Sequence, residues 1–593
     1  MDPVAEYTSR WKHRKALARR YRLWDKRYSY LRLALALLTM LAGWLAFAWH
    51  LMHPGILAAP VTGFAALAVI QEGARRRWRR TQRAAEFYRQ GLDRIEGKWA
   101  GRGWCGERYD NENHPYAVDL DLFGRGGLFE LLCAARTTVG RRTLAQWLLE
   151  PADPVEVRAR QEAVDELRSR LDLREELAVM GEEVRRSVRA SALPRWGEAP
   201  PLLQSRAGRL AAAGAAAAVL ATAAAAVTGT VPPSVFLAAL GLAGGVGLLY
   251  RQRVRQAAAA VEQPSHELDV LARVLKRLES EPFGCVRLRR LQGDLRVDGT
   301  PPSRRIARLE RLVELLDSRD HILVRIIGPP LLWTTQIAFA IEVWRAKTGP
   351  HLRKWLRAVG EFEALSSLAG YAFEHPGDPF PEFTAERGCF DGRGLGHPLL
   401  PEGQCVRNDL RLDAERQVLL VSGSNMSGKS TLLRTAGVNA VLAMTGAPVR
   451  ASSLRLSPLR VGASIRVVDS LQGGTSRFYA EITRIRQIMD LAGGDGTVLF
   501  LLDEVLHGTN SHDRRAGAAA IIRKLVERGA IGLVTTHDLA LAHLDDGLSP
   551  RVSNGHFRDH IEDGRMTFDY KLRPGLVEHS NAIELMRIVG LEV

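Results

Sequence analysis

Nine consecutive residues, Gly423-Ser424-Asn425-Met426-Ser427-Gly428-Lys429-Ser430-Thr431, spell G-x-x-x-x-G-K-S-T and set the first chemical expectation. Glycines at both ends let backbone N–H groups turn inward on a phosphate chain at the start of a helix. Lys429 then reaches the β- and γ-phosphates, and the Ser430 hydroxyl is placed to ligate Mg2+. Further along, Asp503-Glu504 closes an apolar run. There Asp503 would hold Mg2+ through water, and Glu504 would polarise an attacking water as general base. His537 ends another apolar run, where an imidazole can hydrogen-bond the γ-phosphate or the attacking water. The chemistry implied is binding and hydrolysis of MgATP.

These groups meet only if a parallel sheet carries them. Val418-Leu419-Leu420-Val421, the run 497–502 and the run 531–536 are short, continuously apolar stretches of the kind that form buried strands. Each delivers its chemical residues at its C-terminal end. A helical pattern (Leu432, Leu433, Ala436, Val438, Ala440, Val441) follows the glycine loop, giving the strand–loop–helix order the motif requires. Between the loop and the acid pair, Gly473-Gly474-Thr475-Ser476 forms a polar turn before a helix carrying Glu481. One nucleotide already occupies the first loop, so this second anion site is expected to serve the nucleotide of a facing subunit. A homodimer with composite ATP sites follows.

The remainder of the 593 residues is basic and partly apolar. Lys and Arg total 82 against 66 Asp and Glu, an excess that fits nucleic acid or an anionic membrane surface. Five scattered cysteines without a C-x-x-C pair argue against a disulfide framework or zinc site and for a reducing compartment. Two regions read as transmembrane hairpins: 33–51 with 56–70, split by His53-Pro54-Gly55, and 210–227 with 235–250, split by 228–233. Arginines and lysines flank both hairpins (Arg14 to Arg27, Arg75 to Arg80, Arg206, Arg209, Arg251 to Arg255) and are missing from the hairpin loops. The positive-inside rule therefore puts both termini and the ATPase in the cytoplasm, on a multi-pass membrane protein. The apolar patch 322–341, broken by Arg325 and Pro329-Pro330, reads as core helix.

The motifs resemble those of the MutS family of DNA mismatch repair ATPases. The loop 423–431 is similar to the family's G-P-N-M-G-G-K-S-T, Gly474 to Phe478 to its G-R-S-T-F, and Asp503 to Thr509 to its D-E-I-G-R-G-T. Thr535-Thr536-His537 stands where the family has A-T-H, and Gly396-His397-Pro398 where it has R-H-P. The resemblance implies that Asn425 helps position the γ-phosphate and that Ser476 acts on the partner's nucleotide. It also puts Asp513 in a loop that crosses the dimer and His397 at the nucleotide site. Upstream, residues 119–149 and 160–164 are similar to the start of the family's helical core, and 332–369 to the helix returning to the ATPase. Departures are equally plain: before Asp119 there is no Phe-x-Glu mismatch wedge, and Leu506-His507 replace the Gly-Arg that follows the acid pair.

The expected fold class is thus an α/β P-loop (ABC-type) ATPase domain plus an all-α lever and core region with two transmembrane hairpins. The expected layout is 1–100 basic helix and first hairpin, 101–200 and 261–375 helical core, 201–260 second hairpin, and 376–593 ATPase. The expected function is a membrane-anchored MutS-like ATPase using ATP and Mg2+. DNA is an open partner, with 287–296 and 304–311 as basic segments able to meet phosphate. Two rivals remain. One is an ATP-driven membrane switch without DNA; the other is an ABC-type transporter, disfavoured by the few polar residues inside the hairpins.

Overall fold

A computed structural model describes residues 2–48, 57–185, 192–262, 265–297, 299–466, 477–506, 510–537, 551–562 and 565–576. The chain divides into two compact units, one of residues 1–134, 144–175 and 365–593, the other of 135–143 and 176–364.

The first unit opens with two long helices, α1 (Pro3–Phe47) and α2 (Ala58–Ile95). Asp2 caps α1 by accepting from Val4 N at 3.0 Å, and Pro3 fits the first turn. Of the apolar stretch expected as a separate helix from 33 to 51, residues 33–47 are instead the continuation of α1; residues 49–51 and the expected turn at His53-Pro54-Gly55 lie outside the described residues. The intervening Arg, Lys, Leu and Ala residues are good helix formers, with no glycine before Gly43, so nothing breaks the basic segment from the apolar one. Near its start, Tyr7 is buried with its ring 5.6 Å from Tyr88 and 5.1 Å from Phe373, and its hydroxyl donates to Glu374 at 3.3 Å. Arg14 pairs with Glu175 at 2.9 Å, and Arg94 of α2 reaches Glu374 at 2.7 Å. Further along, Leu33, Leu37, Leu38, Met40, Leu41 and Trp44 face outward.

In the second unit, α3 (Arg206–Val227) and α4 (Pro233–Glu262) pack through Ala212, Ala215 and Val219 against Ala239 and Ala243, leaving Leu210, Leu237, Leu242, Leu248 and Leu249 exposed. Among the described residues, α1, α3 and α4 are long and apolar enough to cross a membrane. The other helix expected to cross, α2, is not in that set. Its apolar part ends at Ile70, before Gln71, Glu72 and a run of arginines. The patch 322–341 is split: a short helix, Ile322–Ile327, precedes Pro329-Pro330, and α5 (Trp333–Thr348) then buries Ile337, Ala338, Phe339 and Ile341.

The first unit also holds helices at Leu128–Leu132 and Pro154–Arg168 and, beyond them, an α/β domain. A small sheet of β1 (Glu382–Phe383), β2 (Phe390–Leu395), β3 (Asn408–Leu412) and β5 (Ser453–Leu456) runs in the order β1-β5-β2-β3. The main sheet contains β4 (Val418–Ser422), β6 (Leu459–Ser464), β7 (Thr497–Leu502), β8 (Ile531–Thr536), β9 (Val552–Glu562) and β10 (Arg565–Pro574), ordered β10-β9-β4-β8-β7-β6. All pairings are parallel except β9 with β10. Helices α6 (Lys429–Thr445), α7 (Arg477–Ala492) and α8 (Ser511–Glu527) accompany the sheet. Ile485 and Ile488 from α7, Ala518 and Ile522 from α8, and Val498, Phe500 and Leu502 from β7 belong to one core cluster. The three strands read from the sequence are buried along nearly their whole length, which is why they carry no alternation.

Gly532 lies opposite Phe500 in the centre of the sheet. A Cβ there would lie 2.2 Å from the Phe500 carbonyl oxygen, which is backbone and has no room to move aside. Gly532→Ala is expected to lower unfolding stability by about 1–3 kcal/mol, the range for overpacking a core, as measured by denaturant unfolding.

Candidate active site

The phosphate loop leaves β4 at Ser422 and enters α6 at Lys429. Its backbone is left-handed at Gly423 (φ 145°), Met426 (φ 69°) and Gly428 (φ 105°). Gly423 has no space for a side chain, since a Cβ would meet the Ser427 hydroxyl at 3.0 Å and the Phe557 carbonyl at 3.1 Å. Lys429 is only 4% exposed. Its Nζ donates to the carbonyls of Gly423 at 3.0 Å and Ser424 at 2.8 Å and lies 3.4 Å from His537 Nε2. Burial lowers its pKa, while the charges of Glu504 and Asp503 work in the opposite direction. Asn425 and Met426 are exposed on the loop, with Ser430 half-buried and Thr431 exposed in the first turn of α6.

The acid pair sits at the end of β7. Asp503 Oδ1 accepts from the Thr535 hydroxyl, and the same hydroxyl oxygen accepts from Glu504 N at 2.9 Å. Register explains the meeting: Leu502 lies opposite Val534 on β8, so the next residues of the two strands adjoin. Glu504 Oε1 lies 2.5 Å from His537 Nε2, both side chains being about one-third exposed. Glu504 (φ 49°) and Leu506 (φ 59°) are both left-handed without being glycine, a conformation worth about 1–2 kcal/mol of strain per residue. Lys429, Asp503, Glu504 and His537 are therefore gathered at the C-terminal edge of adjacent parallel strands, as their spacing implied.

Other expected residues lie elsewhere. His397 is placed beside α6 rather than among the groups that meet at Lys429. It is 7% exposed, and its Nδ1 accepts from Leu399 N at 3.3 Å. Burial, helped by the Arg434 charge, pushes its pKa down to about 4, so the ring is neutral. Asp513 is exposed in the first turn of α8, where Asn510 caps the helix through Asp513 N at 2.8 Å and donates to the Asp513 carboxylate at 2.7 Å. Ser476, with the whole 467–476 stretch, and His507 lie outside the described residues.

Two contributors were not anticipated in these roles. Thr535 holds both acid residues; the sequence marks it only as a strand residue. Tyr570 on β10 is left-handed (φ 53°), 43% exposed, and stands beside the loop, 3.2 Å from where a Gly428 Cβ would be. Asn408 anchors it by donating to Tyr570 O at 2.9 Å and accepting from Leu572 N at 2.8 Å, across the irregularity between Phe568 and Leu572. The only trace in the sequence is an aromatic alternation, Phe568-Asp569-Tyr570, long after the last recognised motif.

A nucleotide fits this set of groups. The Ser424 and Ser427 hydroxyls are buried without a hydrogen-bond partner among the described residues, which suits a loop built to meet phosphate oxygens. Ser430 and Asp503 offer two oxygen ligands of the hard, sparse kind that suits Mg2+ bound with phosphate, and the described residues contain no cluster of three or more His, Cys, Asp or Glu able to hold a metal alone.

Residues 419–592 match MutS domain V. Residues 115–234 match MutS domain III. A DNA mismatch repair protein MutS from an Exiguobacterium strain is 36% identical over 247 residues, covering 40% of this chain and 28% of that protein. The DNA mismatch repair protein MutS of Geobacillus kaustophilus is 33% identical over 248 residues, 41% of this chain and 27% of its own length. Endonuclease MutS2 of Thermus thermophilus is 36% identical over 203 residues, 33% of this chain and 25% of that protein. The chain thus spans little more than a quarter of these relatives' length. The matches support the MutS family, and MutS domain V covers every residue gathered at the site.

The depressed His397 pKa has a consequence for stability. The unfolded chain takes up this proton near the ordinary value of 6.5 and the folded chain only near 4, so stability is full above about pH 6.5 and falls toward pH 4. The loss amounts to at most about 3 kcal/mol. His397→Gln is expected to flatten this part of the profile, measured as unfolding free energy at pH 7 and pH 4.5.

Proposed function

We propose that this chain is a membrane-anchored MutS-like ATPase that binds and hydrolyses ATP in paired heads and couples the cycle to DNA. The observation that carries the reading is the convergence of Lys429, Asp503, Glu504 and His537 at one sheet edge beside the phosphate loop. Loop N–H groups and the Ser424 and Ser427 hydroxyls bind the phosphates, with Asn425 near the γ-phosphate. Lys429 leaves the loop carbonyls for the β- and γ-phosphates. Ser430 and Asp503 would hold Mg2+, which when bound would neutralise charge on the phosphates. Glu504 takes the proton of the attacking water, and His537, hydrogen-bonded to it, keeps the base oriented. Tyr570 offers its ring face to the adenine base. Ser476 and Asp513 serve the facing subunit's site, which makes the working unit a homodimer.

The apolar outer surfaces of α1, α3 and α4, flanked by arginines, support insertion in a membrane with the ATPase on the cytoplasmic side. For DNA, the support is basic surface: Arg289 and Arg290, and Arg304, Arg308 and Arg311 at one-turn spacing, face solvent. An ATP switch that acts on membrane partners without DNA is the second reading, favoured by the outward apolar helices alone.

The deciding experiment is ATP turnover by the purified, detergent-solubilised chain with and without duplex, mismatched and branched DNA. Lys429→Ala is expected to abolish turnover, and Glu504→Gln to retain ATP while slowing hydrolysis at least about a hundredfold. Stimulation by DNA supports the coupled reading; turnover indifferent to every DNA rejects it and leaves the membrane switch. Tyr570→Ala is expected to weaken ATP binding roughly tenfold, in line with about 1–3 kcal/mol for a base stacked on an aromatic ring. Affinity for tripolyphosphate, measured in parallel, is expected to stay unchanged.

A further inference from the structure

We infer that Glu481 is the positioning residue that sets the catalytic turn of Glu504, and that it acts from the helix following the second anion site. The inference rests on the ATPase reading of the same site. Glu481 is buried on the second turn of α7, and its Oε1 accepts a hydrogen bond from Leu506 N at 2.5 Å. Leu506 lies two residues beyond Glu504, and both have left-handed backbones. A turn of that shape does not persist by local preference; neighbours must hold it. Thr535 holds its entrance through Asp503 and Glu504 N, and Glu481 holds its exit.

The Leu506 side chain closes the arrangement. It is buried in the cluster that contains Ile485 and Ile488 of α7, and it fills the space beside Gly517 of α8, where a Cβ would meet it at 2.7 Å. The Leu506 amide and side chain are thus both fixed to the α7–α8 layer, while Glu504 between them and β7 points to His537. Movement of α7 along its axis would carry the Leu506 amide with it and re-aim the Glu504 carboxylate. Since α7 begins at Arg477, directly after Ser476, the element holding the base is continuous in sequence with the turn assigned to the partner's nucleotide.

The test uses the full chain in detergent with Glu481→Ala and Glu481→Gln. Glu481→Ala is expected to lower kcat at least tenfold while equilibrium ATP affinity stays within twofold. Glu481→Gln keeps a carbonyl able to accept from Leu506 N–H and is expected to retain at least half of kcat. Hydrogen exchange by mass spectrometry, on the peptide containing Leu506, is expected to accelerate in Glu481→Ala alone. Turnover of Glu481→Ala within twofold of the parent overturns the inference, as does a parallel loss of ATP affinity and kcat, the signature of general destabilisation. A parent without turnover defeats the ATPase reading instead; the exchange measurement then decides the Glu481 contact by itself, and unchanged exchange overturns it.

Discussion

Lys429 is an ammonium with almost no access to water, and burial alone disfavours its charge. What makes the charge tolerable is local: two loop carbonyls accept from it, and the carboxylates of Glu504 and Asp503 favour it electrostatically. Those carboxylates do not belong to the same strand. Lys429 follows β4, the acids follow β7, and β8 lies between them. The charge balance of the site therefore depends on three strands keeping register, and a slip of one residue would turn the strand's side chains to the opposite face. The Thr535 hydroxyl, bridging Asp503 and Glu504 N, ties the ends of β7 and β8 at the point where such a slip would matter.

The same edge has a rigid side and an open side. Beneath it, Val498, Phe500 and Leu502 of β7 join residues of α7 and α8 in a continuous apolar cluster, so the base of the turn shares the stiffness of the core. Above it, Met426 and Tyr570 stand exposed around the phosphate loop, and Asn425 is free to meet a ligand from solvent. The groups proposed to handle phosphate and water are held by the first; those proposed to meet the nucleotide from outside belong to the second.

Legibility in the sequence followed the range of the interactions. The loop 423–431 was readable because phosphate binding demands fixed residue types at fixed spacing, and the acid pair and His537 because each ends an unbroken apolar strand. Thr535 and Tyr570 were not readable in their roles. Thr535 matters only through its pairing with a strand some thirty positions away, and Tyr570 only because Asn408 of the small sheet pins the β10 irregularity beside Gly428. Glu481 reads from the sequence as a helix residue, and its partner Leu506 only as a departure from a motif. The expected placement of His397 came from a resemblance in three residues, and in the fold those residues form a loop against α6. At the apolar end of α1, apolar content is visible in the sequence while helix continuity is not: a boundary drawn at residue 33 reflects hydropathy, whereas the backbone has no reason to stop there.

That continuity has a mechanical consequence. Forty-five residues of unbroken helix form a rod roughly 67 Å long. One end is clamped, with Tyr7 sealed between Tyr88 and Phe373 and Arg14 tied to Glu175; the other presents bare leucines and a tryptophan. Along the way the rod is tied to α2 as well: Gln71 donates to Asp25 at 3.0 Å and to Ser29 at 2.7 Å and accepts from Arg32 at 2.7 Å. Tyr7 to Phe47 spans about 60 Å at a rise of about 1.5 Å per residue, so a tilt of about 5° at the clamp would correspond to roughly 5 Å at the tip. Braced in this way, the two helices form one strut, so any tilt at the Tyr7 end is also a shift at the leucine end.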